Sequence, residues 1–144
     1  MATGEVRTYD FKNYKHVWGG VPITGFDEEG ITIIRPDDMF GAKTGCEGER
    51  ERANLNNFHV QIVINLFKTN PLNGILSGLH EVDARLNTSK LPWLTKDLDG
   101  LTTVGILRAW ITKQAEISLK RESDGMVWTF DTGPAAVFTG GTLL

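Results

Sequence analysis

The stretch from Asn56 to Leu86 constrains the fold more than any other. It opens with NNFHVQIVINLFKT, in which Phe58, Val60, Ile62, Ile64 and Leu66 alternate with His59, Gln61, Val63, Asn65 and Phe67. That period of two predicts a strand with one buried face and one mixed face. The run is rich in β-branched and aromatic residues, which suit a pleated, half-buried surface. At Thr69-Asn70-Pro71 the period changes. Asn70 suits a helix N-cap, and Pro71 suits the first helical position, where its missing N–H costs nothing. Beyond it Leu72, Ile75, Leu76, Leu79, Val82 and Leu86 recur at helical spacing, opposite Asn73, Ser77, His80, Glu81, Asp83 and Arg85. One strand therefore feeds one amphipathic helix, over about residues 71–86, and those six apolar residues are its expected core face. The rest of the chain offers that helix only sheet to pack on.

The flanking sequence is punctuated by turn residues. Gly makes up 16 of 144 residues, above the ~7 % that is usual, which implies many turns and many strands. Tyr9 to Trp18 reads as a strand that closes at Gly19-Gly20, a two-residue hairpin signal. Val21-Pro22-Ile23 returns, and Pro22 places it at an edge. Asp27-Glu28-Glu29-Gly30 reads as a turn before a strand at Ile31–Arg35. After the helix, strands are expected at Leu91–Leu94, Leu101–Ile106, Leu107–Ile111, Ala115–Lys120, Met126–Asp131 and Ala135–Phe138. Asp97–Gly100, Arg121–Gly125 and Thr132–Pro134 read as turns, and Gly140–Leu144 as a loose tail. About eight or nine short strands and one helix predict a mainly β, antiparallel sandwich or barrel, with the helix on one side or end. The length fits one domain spanning 1–144.

Residues 37–57, DDMFGAKTGCEGERERANLNN, fit no core. Two readings stand side by side. One is a solvated surface loop, the ordinary fate of a charge run. The other is a long β-arm, with Met39–Thr44 running out, Gly45–Gly48 turning and Glu49–Asn54 running back. The alternating Glu49, Arg50, Glu51 and Arg52 could then pair with a copy of the same arm.

Composition bounds the chemistry. The net charge of −3 argues against a dedicated DNA-wrapping surface, which needs clustered Lys and Arg. No apolar run approaches the ~20 residues of a membrane span, so no membrane partner is expected. The start MATGEVRTYD is not a secretory signal. Cys46 is the one cysteine and allows no internal disulfide, which fits a reducing cytoplasm.

Catalytic motifs are thin. His16, His59 and His80 lack the paired short spacing of metal ligands and read as surface or lumen residues. Glu47 beside Cys46 disfavours a thiolate. Asp37-Asp38 and Asp97/Asp99 read as turn residues. Asp97-x-Asp99-Gly100 lacks the distal glutamate of a calcium loop. Asn87-Thr88-Ser89 matches a glycosylation sequon that means nothing without secretion, and no phosphate-cradling glycine loop is present. Trp18, Trp93, Trp110 and Trp128 lack a basic stripe, so they read as core or interface anchors rather than base-stacking platforms. No enzyme and no cofactor is expected. A small β-barrel that binds a ligand or nucleic acid is the alternative from another class.

Taken in order, these pieces resemble the tail tube proteins of contractile-tail bacteriophages (myophages). The matching pieces are Tyr9-Asp-Phe-Lys-Asn13, Gly20-Val-Pro-Ile-Thr-Gly-Phe26, Ile31-Thr-Ile-Ile-Arg35, Asp38-Met-Phe40, Gly45, Gly48-Glu49, Arg52-Ala-Asn54, Asn56-Asn57 and Thr69-Asn-Pro71. They cover most of residues 9–86. Beyond that, Lys96–Gly100, Ala109–Ile111 and Trp128–Phe130 match in pattern only. The arm tip departs, with Cys46-Glu47 where the family pattern has a small residue and an aspartate.

The resemblance implies hexameric rings stacked into a hollow tube inside a sheath. Its partners would be copies of itself, the tail sheath protein, and baseplate and tail terminator proteins. DNA would pass through the lumen without sequence-specific binding. Its place would be the virion tail, assembled in the host bacterial cytoplasm. The arm residues Asp38, Phe40, Lys43, Glu47, Glu49, Arg50, Glu51 and Arg52 would be inter-subunit, and His59, Gln61 and Asn65 would suit a wet lumen. The tube of a pyocin or another contractile injection system is the alternative: it shares this architecture and differs in cargo, and nothing in the chain separates the two.

Overall fold

A computed structural model describes residues 6–141. A 3₁₀ turn at Phe11–Asn13 leads into ten strands and one α-helix: β1 (Tyr14–Trp18), β2 (Val21–Pro22), β3 (Phe26–Ile34), β4 (Phe40–Thr44), β5 (Arg50–Asn54), β6 (Gln61–Leu66), α1 (Leu72–Leu86), β7 (Leu91–Asp97), β8 (Thr103–Lys113), β9 (Met126–Thr132) and β10 (Ala135–Phe138). The fold is mainly antiparallel β with a single α-helix. Eight strands form one sheet in the order β2-β1-β7-β8-β9-β6-β3, with β10 also paired to β8. β4 and β5 form a separate two-stranded sheet.

Local chemistry explains most boundaries. Gly19 and Gly20 have φ of 58° and 84°, the doubly positive geometry of a tight hairpin turn that most residues resist. Pro22 ends the sheet, where no ladder donor is missed. Asn70 Oδ1 accepts from the Leu72 N–H at 3.0 Å, so Asn70 caps the helix as its sequence suggests. Asn87 closes the helix in the left-handed region, with its N–H donating to Asp83 O.

The expected turn at Asp27–Gly30 is instead part of β3. The register between β3 and β6 shifts between Phe26 and Ile31, which marks an irregular, bulged strand. A bulge takes up polar residues and a glycine much as a turn does, so local composition cannot tell the two apart. The two strands expected at 101–106 and 107–111 are one, β8. The strand expected at Ala115–Lys120 does not form. Its alternation is real, but among the described residues no strand pairs with it. Of the expected loose tail, residues 142–144 lie outside the described residues.

The core is aromatic. Trp18, Trp93, Trp128 and Phe130 are fully buried with Val60, Ile62, Ile64, Leu66 and Leu76. Trp18 and Trp93 meet Phe130 edge-on, with centroids 4.9 and 5.2 Å apart. Each buried indole N–H has an acceptor: Ala109 O for Trp18, Thr95 Oγ1 for Trp93 and Asn73 Oδ1 for Trp128. This removes the penalty of burying a lone donor.

Candidate self-assembly surfaces

The strongest candidate is the hairpin β4–β5. Its register pairs Phe40 with Asn54, Ala42 with Arg52 and Thr44 with Arg50. Because side chains alternate across a strand, those six residues share one face. Lys43, Glu51, Gly41 and Ala53 share the other. The first face is basic. Arg52 lies over the Phe40 ring at 4.4 Å, and Arg50 donates to Thr44 Oγ1. On the second face Lys43 and Glu51 pair at 3.3 Å and cancel. Asp38, Glu47 and Glu49 are exposed, as is every residue of β5. The tip is closed by Gly45 N–H to Glu49 O and Gly48 N–H to Gly45 O.

Among the described residues, the arm's ties to the body lie at its root. Leu55 N–H donates to Met39 O, Asn57 Nδ2 to Asp38 O, and His59 Nε2 meets Asp37 Oδ2 at 2.9 Å. These bonds tie the entering chain to the leaving chain just before β6. A hairpin of five-residue strands reaches roughly 17 Å beyond such a root, at ~3.3 Å per residue.

The expected lumen residues do not form one open face in the subunit. His59 is half-buried against Asp37, and Gln61 is half-buried. Asn65 is buried, and its Nδ2 donates to Glu29 Oε2 across the β3 bulge.

The expected helix core face splits. Leu72 and Leu76 are buried and Leu79 packs against the core, but Ile75, Val82 and Leu86 are 49 %, 45 % and 67 % exposed. A single helix against a sheet touches it along a narrow strip. Among the described residues no second layer covers the flanks of that strip, so half of the apolar stripe faces outward. Sequence periodicity finds the stripe but not its width.

Sequence reasoning missed the open seam between β1 and β3. Phe26 stacks edge-on to Phe11 and to His16, both with centroids 5.4 Å apart. The nearby cavity, lined by Phe11, Tyr14, His16, Ile31, Ile33 and Val104, holds about 310 Å³. His16 is 5 % exposed; its Nδ1 meets Thr95 Oγ1 at 2.9 Å, and its Nε2 has no partner. Burial, helped by the Lys15 charge, pushes the His16 pKa down from 6.5 to about 4. Nothing local in the sequence flags this residue, because strands distant in the chain create its environment.

Among the described residues, no group of three His, Cys, Asp or Glu side chains gathers as a metal site. Cys46 is exposed at the arm tip, and no helix among the described residues is long and apolar enough to cross a membrane.

No family model matches the chain, and no curated protein matches it. Solved structures do. The anti-feeding prophage tube-terminating cap superposes with a TM-score of 0.61 at 9 % identity, covering 96 % of both chains. A chain of the sheath/tube terminator of an extracellular contractile injection system gives 0.60 at 14 % identity, over 93 % of this chain and 99 % of that one. A chain from a native gene transfer agent virion gives 0.58 at 12 % identity, over 92 % and 100 %. The chain therefore shares its fold with chains of an anti-feeding prophage cap, an extracellular contractile injection system and a gene transfer agent particle.

Proposed function

We propose that this protein is a structural subunit of a phage-type tail tube. In this reading six copies form a ring, rings stack into a hollow tube inside a contractile sheath, and DNA passes through the bore. The carrying observation is the β4–β5 arm, an exposed hairpin that pairs with no other strand among the described residues. Such unpartnered edges invite pairing with another chain unless a partner is built in. Repeated head-to-tail contacts between identical chains close a ring in one direction and propagate along the axis in the other. The net charge of −3 suits a conduit whose wall must not hold DNA, because adhesion grows with the number of phosphates neutralised.

The same fold in a tube-terminating cap and in a sheath/tube terminator favours a second reading, a ring that ends a tube. Negative-stain microscopy of the concentrated, purified chain separates the two. Stacked rings of indefinite length support the tube subunit, and single rings support the terminator. A protein that remains monomeric at every concentration overturns both.

A further inference from the structure

The outer face of β1, β7, β8 and β10 has the wrong composition for a wetted surface. Side chains alternate across a strand, and Trp18, Trp93, Val104 and Ala135 take the inner face, in the core. The ladders set Val17 opposite Leu94, Leu94 opposite Gly105, and Gly105 opposite Ala136. These four residues form one row on the outer face, across four strands. A sheet face left to water normally carries polar residues, and this row carries none. Leu94 is 49 % exposed, and Leu107 and Phe138, on the same face, are 84 % and 59 % exposed. A Cβ on Gly105 would meet nothing within 4 Å, so the row holds a shallow slot between Leu94 and Leu107. In the next row Lys15 stands directly opposite Lys96. Like charges so placed repel, and among the described residues neither is in an ion pair.

The same chain carries a surface of matching kind. Ile75, Val82 and Leu86 leave one flank of α1 apolar and uncovered. From Ile75 to Leu86 that stripe runs about 16 Å, at ~1.5 Å per residue. The row on the sheet runs about 14 Å, at ~4.8 Å per strand. We propose that the exposed stripe of α1 in one copy packs on the outer face of β1, β7, β8 and β10 in the next copy around the ring, with an aliphatic side chain in the Gly105 slot. This rests on the ring reading, common to tube subunit and terminator, and names the lateral contact that closes the ring. The six large apolar residues of the two patches expose roughly 100 Å² each. At the ~57 % apolar share of an ordinary interface, that corresponds to about 1,000 Å² buried in all, which is what a specific contact needs. Charge sets the orientation. The last-turn carbonyls of α1, the negative end of its dipole, lie beside Leu86 and suit Lys15 and Lys96. The two patches are different surfaces, so the contact is head-to-tail, the kind that closes rings.

The test uses the full chain. Gly105→Glu and, separately, Val82→Glu should abolish rings and leave the melting temperature of the unassembled subunit unchanged, because neither position is packed in the subunit. Independently, Cys46→Ser protein carrying Gly105→Cys with Val82→Cys should give a covalent ladder when a short bis-maleimide is added after assembly. Peptide mapping should join position 105 of one copy to position 82 of another, and neither single-cysteine protein should give a ladder. Rings that form normally with Gly105→Glu or Val82→Glu, or assembled protein that gives no ladder, would overturn the docking while leaving the ring reading intact. Failure of the unaltered protein to form rings would overturn both.

Discussion

Trp128 on β9 donates its indole N–H to Asn73 Oδ1, in the first turn of α1, at 2.9 Å. Asn73 also donates to Phe67 O through Nδ2. One side chain thus ties the helix to the sheet and to the loop that feeds it. Asn73→Ala strands the Trp128 N–H and should cost about 1–3 kcal/mol. Asn73→Asp keeps an acceptor for Trp128 and should cost less. Urea midpoints of the two variants against the wild type measure the difference.

The split helix stripe makes a second prediction. Leu76 is fully buried, and Leu76→Ala should cost about 2–5 kcal/mol. Leu86 is 67 % exposed, and Leu86→Ala should change subunit stability by no more than ~0.5 kcal/mol. Equal losses at both positions, read by thermal or urea unfolding of the unassembled subunit, would contradict this division.

How far the sequence speaks depends on whether a feature is local. The Gly19-Gly20 hairpin, the edge position of Pro22 and the Asn70 cap are written in adjacent residues, and the structure has all three; of the expected β6 face it buries Val60, Ile62, Ile64 and Leu66 but leaves Phe58 exposed. The arm was one of two open readings, and its register shows a regular hairpin. What failed depends on neighbours distant in the chain. Ala115–Lys120 alternates like a strand but finds no ladder. Asp27–Gly30 has turn composition but is bulged strand, and Ile75, Val82 and Leu86 lie on an apolar stripe wider than the sheet covers. Among the candidate assembly residues, the exposure of the seven charged arm positions was legible because it follows from charge, whereas that of Phe40 was not. The burial of Asn65 was not, because Glu29 and the β3 bulge create it.

Acid should destabilise the subunit through His16. Its pKa is lowered to about 4 because burial disfavours the imidazolium. The unfolded chain takes up a proton near pH 6.5 and the folded chain only near pH 4, so the unfolded state binds more protons between those values. The stability this neutral His contributes is whole above pH 6.5, is lost as pH falls toward 4, and changes no further below. At ~1.4 kcal/mol per pH unit the loss is on the order of 3 kcal/mol. Urea midpoints between pH 7 and 4.5 should fall in the wild type and fall less steeply in His16→Gln.

Deleting residues 41–52 should leave the body folded, because among the described residues β4 and β5 pair only with each other and bury none of the core. Circular dichroism and the melting temperature should match the intact chain, while sedimentation should show no tubes. Full-length tubes from the deletant would remove any assembly role from the arm.

The most direct measurement is a cryo-EM map of the assembled full-length protein, resolved well enough to trace Phe40–Asn54. The account predicts that this hairpin lies against a neighbouring copy of the same chain, repeated around and along a ring stack. A self-contained monomer, or an arm packed onto its own body, would contradict it.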